Sequence, residues 1–352
     1  MLVSDFDYHL PQELIAQRPA PKRDEARLMV LDKNSGATRH TVFRDVPSLL
    51  EPGDFIVMND TRVFPARLWG KRGSGGKIEA LVLGRSPDGR LRTLLKAGGR
   101  ICGGEVISFA HDEVRIRVIE KDETGAWYFE PVTEGFWEKL EEKGEVPLPP
   151  YINRGCPARE ASEDRVRYQT VFAKDTGSAA APTAGLHFTP ELLEMLDKKG
   201  ISSCFVTLHI GYETFRPVKE DKVEEHVMHS EFFSVSHGAL SAIEAAVREK
   251  RRIVAVGTTS CRVLETLAHR EAGGFDFEET EDYLRGWTDI FIYPGFEFKF
   301  VGGMITNFHL PRSTLVMLVA ALAGRENILA AYNEAVEMKY RFYSYGDAMM
   351  IK

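Results

Sequence analysis

Between Lys77 and Val132 apolar and polar residues alternate with a period of two. The alternation covers Lys77 to Leu83, Leu91 to Lys96, Glu105 to Phe109, Glu113 to Glu120 and Ala126 to Val132, broken by Gly-rich or Asp/Glu/Gly turns. Short strands at this spacing predict an antiparallel sheet or small barrel. Before it, Arg27 to Leu31 and Asp54 to Met58 read as strands, and Pro11 to Gln17 and Val46 to Leu50 as short helical pieces. After Arg165 the pattern changes to apolar strands alternating with amphipathic helices. Strands are predicted at Gln169 to Ala173, Ser203 to Thr207, Ile253 to Val256 and Asp289 to Ile292. Helices are predicted near Pro190 to Lys199, His237 to Lys250, from Val256 to about His269, Ser313 to Ala323 and Glu326 to Val336. This is the pattern of a layered α/β domain. The β-rich stretch is inserted into it, with seams at Asn59 to Arg62 and at the stiff Pro147 to Tyr151 connector. The main domain is then 1–61 with 147–352, and the insert 62–146.

Within the α/β part, Ala179 to Thr189 is a run of near-minimal side chains ending in His187 and Phe188, with Thr189-Pro190 as an N-cap and first-turn proline. Small residues let backbone approach a ligand, Thr183 offers a hydroxyl, and Gly185 permits unusual dihedrals. Thr207 to Phe215, with His209, and Thr306 to Thr314, with His309, repeat the combination of hydroxyl, histidine, aromatic and breaker. One buried histidine is more often a packed core residue than a catalyst; three in such loops point to a shared site.

Charge sharpens the picture of the insert. The 352-residue chain carries a net charge of −7, yet Arg62 to Arg100 holds ten Lys or Arg against Glu79 and Asp88, a local +8. Such a concentration suits RNA or another phosphate-bearing partner, although alternating strands also show solvated charged faces. Arg67, Lys71, Arg72 and Lys77 are the candidate nucleic-acid contacts. Cys102, Cys156, Cys204 and Cys261 are far apart, which argues against a zinc ribbon or disulfide framework. No apolar run reaches transmembrane length and no secretory pattern opens the chain, so a cytoplasmic location without membrane contact is expected.

The glycine loops of dinucleotide and ATP enzymes are missing; Gly98, Gly99, Gly103 and Gly104 sit in strand-like sequence. Ile253 to Ser260 instead runs a buried strand through Gly257 into Thr258 and Thr259 at a helix start. That is either ordinary capping or an anion site. His226 and His229 lack a carboxylate or cysteine at a metal-binding spacing and are not assigned a metal. Tyr340 to Asp347 packs aromatics, Arg341 and Asp347 together; Phe342 is read as packing, Tyr345 and Asp347 as the edge of a site. Asp60 and Arg62 lie in the hinge, where clefts form.

Taken together these segments resemble one family, the S-adenosylmethionine:tRNA ribosyltransferase-isomerases of the queuosine pathway. The resemblance runs through Phe6 to Gln17, Asn59 to Leu68, Pro147 to Tyr151, Tyr168 to Val171, Ala181 to Phe188, His226 to Glu231, Ala255 to Thr259, Thr306 to Pro311 and Tyr340 to Asp347. Two positions depart from it: Glu213 stands where the family usually has glycine, and Gly302 where aspartate is common. The resemblance implies an α/β/α domain with an inserted antiparallel β-barrel. It also implies transfer of the ribosyl part of S-adenosylmethionine onto 7-aminomethyl-7-deazaguanine at the tRNA wobble position, releasing adenine and methionine. No metal or redox cofactor is implied, S-adenosylmethionine being consumed. The partners expected are tRNA and S-adenosylmethionine, with a monomer as the default state.

That chemistry needs a base beside the sulfonium, an acid for departing adenine and an unprotonated amine. His187, His209 and His309 are the candidate acid/base pool, with Asp60 as orienting partner. Thr258 and Thr259 are candidates for the methionine carboxylate, Asn307 for a base edge or ribose hydroxyl, and Arg62, Thr183, Tyr345 and Asp347 for further substrate contacts. Two other readings compete: an RNA-binding barrel on an inert scaffold, and a small-molecule enzyme with no RNA partner.

Overall fold

In the computed structural model, which describes residues 1–85, 90–123, 125–153, 157–211, 218–270 and 275–352, the apolar runs become one large sheet. The chain opens with β1 (Arg27–Leu31), β2 (Thr38–Val42), the short α1 (Val46–Leu49), β3 (Phe55–Asn59) and β4 (Thr61–Val63). The alternating region forms β5 (Arg67–Lys71), β6 (Lys77–Arg85), β7 (Leu91–Ala97), β8 (Val106–Phe109), β9 (Val114–Lys121) and β10 (Trp127–Pro131). Helices α2 (Phe136–Lys143) and α3 (Pro157–Arg167) lead back to β11 (Asp175–Ser178), α4 (Pro190–Lys198) and β12 (Ser202–Leu208). Next come β13 (Glu231–Ser236), α5 (His237–Arg248), β14 (Ile253–Val256) and α6 (Gly257–Ala268). The chain finishes with β15 (Phe277–Glu279), β16 (Tyr283–Thr288), β17 (Val301–Asn307), α7 (Thr314–Ala323), α8 (Arg325–Glu337) and β18 (Ala348–Ile351).

Ten strands form the main sheet in the order β15-β16-β13-β12-β3-β14-β17-β18-β1-β2. Its centre is parallel, β12 with β3, β3 with β14 and β14 with β17. Every residue of β3 and β14 is buried, as expected where helices cover both faces of a parallel sheet. Alternate residues go to opposite layers. Phe55, Val57, Ile253 and Ala255 join the core under α5 to α8, while Ile56, Met58, Val254 and Val256 join the one under α1 and α4. The architecture is therefore α/β/α.

The six strands β5 to β10 close into a barrel, ordered β10-β7-β6-β5-β8-β9, around its own apolar core. Arg67 and Glu145 exchange backbone hydrogen bonds of 3.0 and 2.8 Å where the chain enters and leaves it. Strand β4 pairs with β11, so Arg62 lies in a two-stranded ribbon and not in the barrel.

Several local expectations give way. Gln169 to Ala173 is a turn segment, and the strand forms at Asp175 instead. Asp289 to Ile292 is irregular, though Ile290 and Ile292 are buried, because an apolar run satisfies a packed loop as well as a strand. The strand that follows, β17, begins only at Val301 and contains Gly302 and Gly303, whose missing side chains hid it from the pattern. Pro11 to Gln17 holds only a single 3-10 turn, Gln12–Leu14. The glycines at 98, 99, 103 and 104 fall between β7 and β8 and not within strands. Among the described residues no single helix is long and apolar enough to cross a membrane.

Candidate functional site

The parallel strands β12, β3, β14 and β17 all end on one edge of the sheet, the edge where open α/β sheets bind ligands. Residues far apart in sequence are thereby made neighbours: Thr207 and His209, Asn59 and Asp60, Thr258 and Thr259, Asn307 and His309. Asn59 is the knot. Its Nδ2 donates to Leu208 O and Thr259 Oγ1, both at 3.1 Å, and its Oδ1 accepts from the backbone N–H of Thr61 and Leu208.

The small-residue segment packs across this edge and walls a cavity of about 480 Å³, within the size range of small-molecule sites. Ala181, Thr183, Thr258, Asn307, His309 and Tyr343 are among its lining residues. Gly185 serves close packing: a Cβ would lie 2.8 Å from Thr170 Cγ2 and 2.9 Å from Phe172 Cζ, while its φ is not in the left-handed region, contrary to the dihedral role expected of it. Gly257 does need that freedom, with φ +87°. It lets β14 turn directly into α6, which starts at N-cap Val256 without a side-chain cap. Uncapped N–H groups and the positive end of a 12-residue helix therefore face the cavity beside Thr258, a fitting place for a carboxylate.

The three histidines separate. His309 lines the cavity, with Nε2 2.9 Å from Thr306 Oγ1 and its backbone held by the hydroxyls of Tyr8 and Tyr332. Burial pushes its pKa down to about 3, so the ring is neutral. His187 is set behind the wall, its ring tilted against that of Phe43 with centroids 4.9 Å apart, with Nε2 3.3 Å from Asn307 Nδ2 and a pKa lowered by burial to about 4. His209 lies off the cavity, its Nδ1 2.9 Å from Thr61 Oγ1 and its ring stacked on Phe232. Burial lowers its pKa, with Asp175 opposing. Asp60 belongs to this outer cluster. Burial raises its pKa, the Thr207 hydroxyl counters, and Asp175 raises it further.

A second cavity of about 260 Å³ adjoins the first, sharing Thr258, Thr259, Thr314 and Leu315. It holds the buried pair Arg262 and Glu231, and His226, whose Nδ1 is 2.9 Å from Glu220 Oε2. Among the described residues no group of three His, Cys, Asp or Glu is placed to hold a metal.

Tyr345 and Asp347 stand away from the cavity. Tyr345 donates to Asp164 Oδ1 at 2.9 Å, and Asp347 accepts from the backbone of Arg27 and Arg341 and from the Arg341 guanidinium. Of the expected nucleic-acid contacts, Arg67 is paired with Glu79 at 3.1 Å and Arg72 with Glu105 at 2.7 Å; Arg62 is paired with Glu141 at 3.2 Å. Lys71 and Lys77 face each other across β5 and β6, exposed on an open groove of about 1120 Å³ that Trp69 and Lys96 also line.

The sequence reading passed over Tyr151, Tyr168, Tyr343, Arg312 and Thr314, all on the main cavity. Tyr343 and Arg312 had a readable structural peculiarity only in three dimensions: both hold left-handed backbone, φ +73° and +58°, unusual for such residues. Gly302 lies in β17, its carbonyl accepting from Lys33 Nζ, and Glu213 falls outside the described residues.

Comparison with known proteins gives a consistent result. The chain matches the family described as queuosine biosynthesis protein over residues 3–351. Two proteins from Clostridium kluyveri strains, each named S-adenosylmethionine:tRNA ribosyltransferase-isomerase, are 50% identical to it over 354 residues, spanning 100% of this chain and of each relative. The crystal structure of an S-adenosylmethionine tRNA ribosyltransferase from Thermotoga maritima superimposes with a TM-score of 0.54 at 36% identity, covering 99% of this chain and 100% of that one.

Proposed function

The chain belongs to the queuosine biosynthesis protein family, and we propose that the cavity on the C-terminal edge of its parallel strands is where S-adenosylmethionine is bound and consumed. The activity is that of a transferase-isomerase. The ribosyl moiety of S-adenosylmethionine is moved to 7-aminomethyl-7-deazaguanine at the wobble position of tRNA and isomerised, giving epoxyqueuosine-tRNA with release of adenine and methionine.

The observation that carries the site assignment is the meeting of three unlike groups on one cavity: the uncapped start of α6 with Thr258, the amide of Asn307, and the neutral imidazole of His309. The first suits the methionine carboxylate, the second a base edge, and the third a proton acceptor for the carbon made acidic by the sulfonium. The positive sulfonium further favours the neutral form of a nearby imidazole. We assign His309 the acid/base role within the cavity. His187 supports Asn307 from behind, and His209 with Asp60, Thr207 and Asp175 forms a polar cluster at the root of the barrel hinge. Tyr151, on the cavity wall, offers aromatic surface to a wobble base turned out of its stack.

Lys71 and Lys77 are the proposed phosphate contacts, and Arg67 and Arg72 the framework that holds their strands. The reaction consists of proton transfers and exchange of bonds at carbon, and no redox cofactor or metal is part of this proposal. A tRNA substrate supports a cytoplasmic location. The test is single-turnover release of adenine from S-adenosylmethionine with tRNA carrying the 7-aminomethyl-7-deazaguanine base. Thr183→Trp, which fills the cavity, should abolish S-adenosylmethionine binding in a folded protein; unchanged binding would move the site elsewhere.

A further inference from the structure

Asn307 ends β17 at the deep side of the cavity and is 2% exposed. Its Nδ2 is fully used, 3.1 Å from the carbonyl oxygen of Tyr343 and 3.3 Å from His187 Nε2. The carbonyl decides which way the amide faces, since an amide oxygen turned toward it would be repelled. His187, neutral through burial, supplies the lone pair that accepts the second amide hydrogen. Oδ1 is left over, buried with no hydrogen-bond partner, and so is the hydroxyl of Tyr343. A buried acceptor without a donor costs about 1–3 kcal/mol. Both orphans belong to residues that line the cavity, so a ligand seated against that wall is the partner on which the inference builds. The strained backbone of Tyr343, tied by its N–H to Phe308 O at 3.0 Å, holds this arrangement in place before any ligand arrives.

We propose that Asn307 selects a 6-aminopurine: its Oδ1 accepts from the exocyclic amine of adenine while the Tyr343 hydroxyl donates to the adjacent ring nitrogen. His187 is then a positioning residue, acting through Asn307. This rests on the reading of the cavity as the S-adenosylmethionine site. Adenine and not the deazaguanine takes this end, because Asn307 is deep while a base still attached to tRNA must enter at the mouth, near the exposed Arg312. A 6-oxo purine puts oxygen against oxygen here and is rejected.

The experiment measures Kd by calorimetry for S-adenosylmethionine and for its analogue bearing hypoxanthine in place of adenine. Wild-type protein should prefer the 6-amino ligand by about tenfold or more. Asn307→Ala should weaken S-adenosylmethionine and leave the analogue little changed, bringing the ratio near one. His187→Leu, which cannot accept, should lower the ratio, and His187→Gln, which can, should restore it. The wild-type comparison needs no variant, so a misfolded mutant does not spoil the test. Equal wild-type affinities, or a preference that survives in folded Asn307→Ala, overturns the proposal. So does a loss in Asn307→Ala confined to tRNA binding, which would place the residue on the deazaguanine instead. If Thr183→Trp leaves S-adenosylmethionine binding intact, the site reading itself fails; if it abolishes binding while Asn307→Ala keeps the preference, only this inference does.

Discussion

The hydroxyl of Thr207 lies 2.7 Å from Oδ1 of Asp60, and the same hydroxyl is 3.2 Å from Oδ2 of Asp175. One hydroxyl proton can serve only one of the two carboxylates as donor. Both contacts are satisfied when one carboxyl carries a proton of its own and donates it to the Thr207 oxygen. Burial of Asp60, with Asp175 nearby, raises its pKa, and the hydrogen bond from the Thr207 hydroxyl opposes the rise.

The pH dependence follows from that direction. A carboxyl whose native pKa is raised stabilises the fold below the unfolded value of about 3.9 and loses that contribution as pH rises through the native value. Asp60→Asn escapes the loss. Its melting temperature relative to wild type should therefore climb between pH 4 and pH 7.5, by roughly 2 °C if the effect is on the order of 1 kcal/mol. A difference that stays flat with pH would show that Asp60 is held ionised.

The buried histidines act with the opposite sign. His187 and His309, with native values near 4 and 3, bind a proton in the unfolded chain before they do in the folded one. Stability is then lost as pH falls below the unfolded value of about 6.5. Each residue contributes up to about 1.4 kcal/mol per pH unit until its native value is reached. Urea midpoints for wild type and His309→Gln, measured from pH 7.5 to 5, should diverge, the variant losing less on acidification. Parallel curves would mean that the pKa of His309 is the same in the native and the unfolded state.

His309→Gln also separates chemistry from structure. If the ring removes or delivers a proton, single-turnover adenine release should fall by about two to four orders of magnitude with S-adenosylmethionine binding retained. A normal single-turnover rate in folded variant would transfer the role to another group.

Thr258→Val removes the hydroxyl beside the uncapped start of α6 but keeps the side-chain shape. We expect Kd for S-adenosylmethionine to rise by about tenfold or more, as for a lost hydrogen bond to a charged group, with tRNA affinity unchanged. Equal weakening of both ligands would detach this helix start from the methionine carboxylate.

On the barrel, Lys71→Glu with Lys77→Glu should weaken tRNA binding about tenfold or more and reduce its dependence on salt, since two phosphate contacts are reversed in sign. Arg72→Glu should lower the melting temperature first, because it confronts Glu105 with a second carboxylate in place of its two hydrogen bonds. Filter binding beside melting curves distinguishes the two classes; a tRNA loss in stable Arg72→Glu equal to that of the lysine pair would return Arg72 to the contact surface.

Elements whose signal is local were legible in the amino-acid order alone. Barrel strands β6 to β10 were legible because their side chains alternate between an apolar interior and water, and β14 into α6 because a buried run meets Gly257. The three histidine segments were legible as residue types in loop-forming contexts. Tertiary structure decided everything that depends on which strands become neighbours. Leu28 pairs with Ala348, and no local pattern announces a partner at the other end of the chain. Strand order set His309 on the cavity, placed His187 behind Asn307 and sent His209 to Thr61. Barrel register gave Arg67 and Arg72 to Glu79 and Glu105, leaving Lys71 and Lys77 exposed, so half of a uniform-looking basic run became framework. Periodicity reports which face of an element avoids water. It says nothing of what that face meets, because hydrogen-bond and ion-pair partners are chosen by packing between segments distant in sequence.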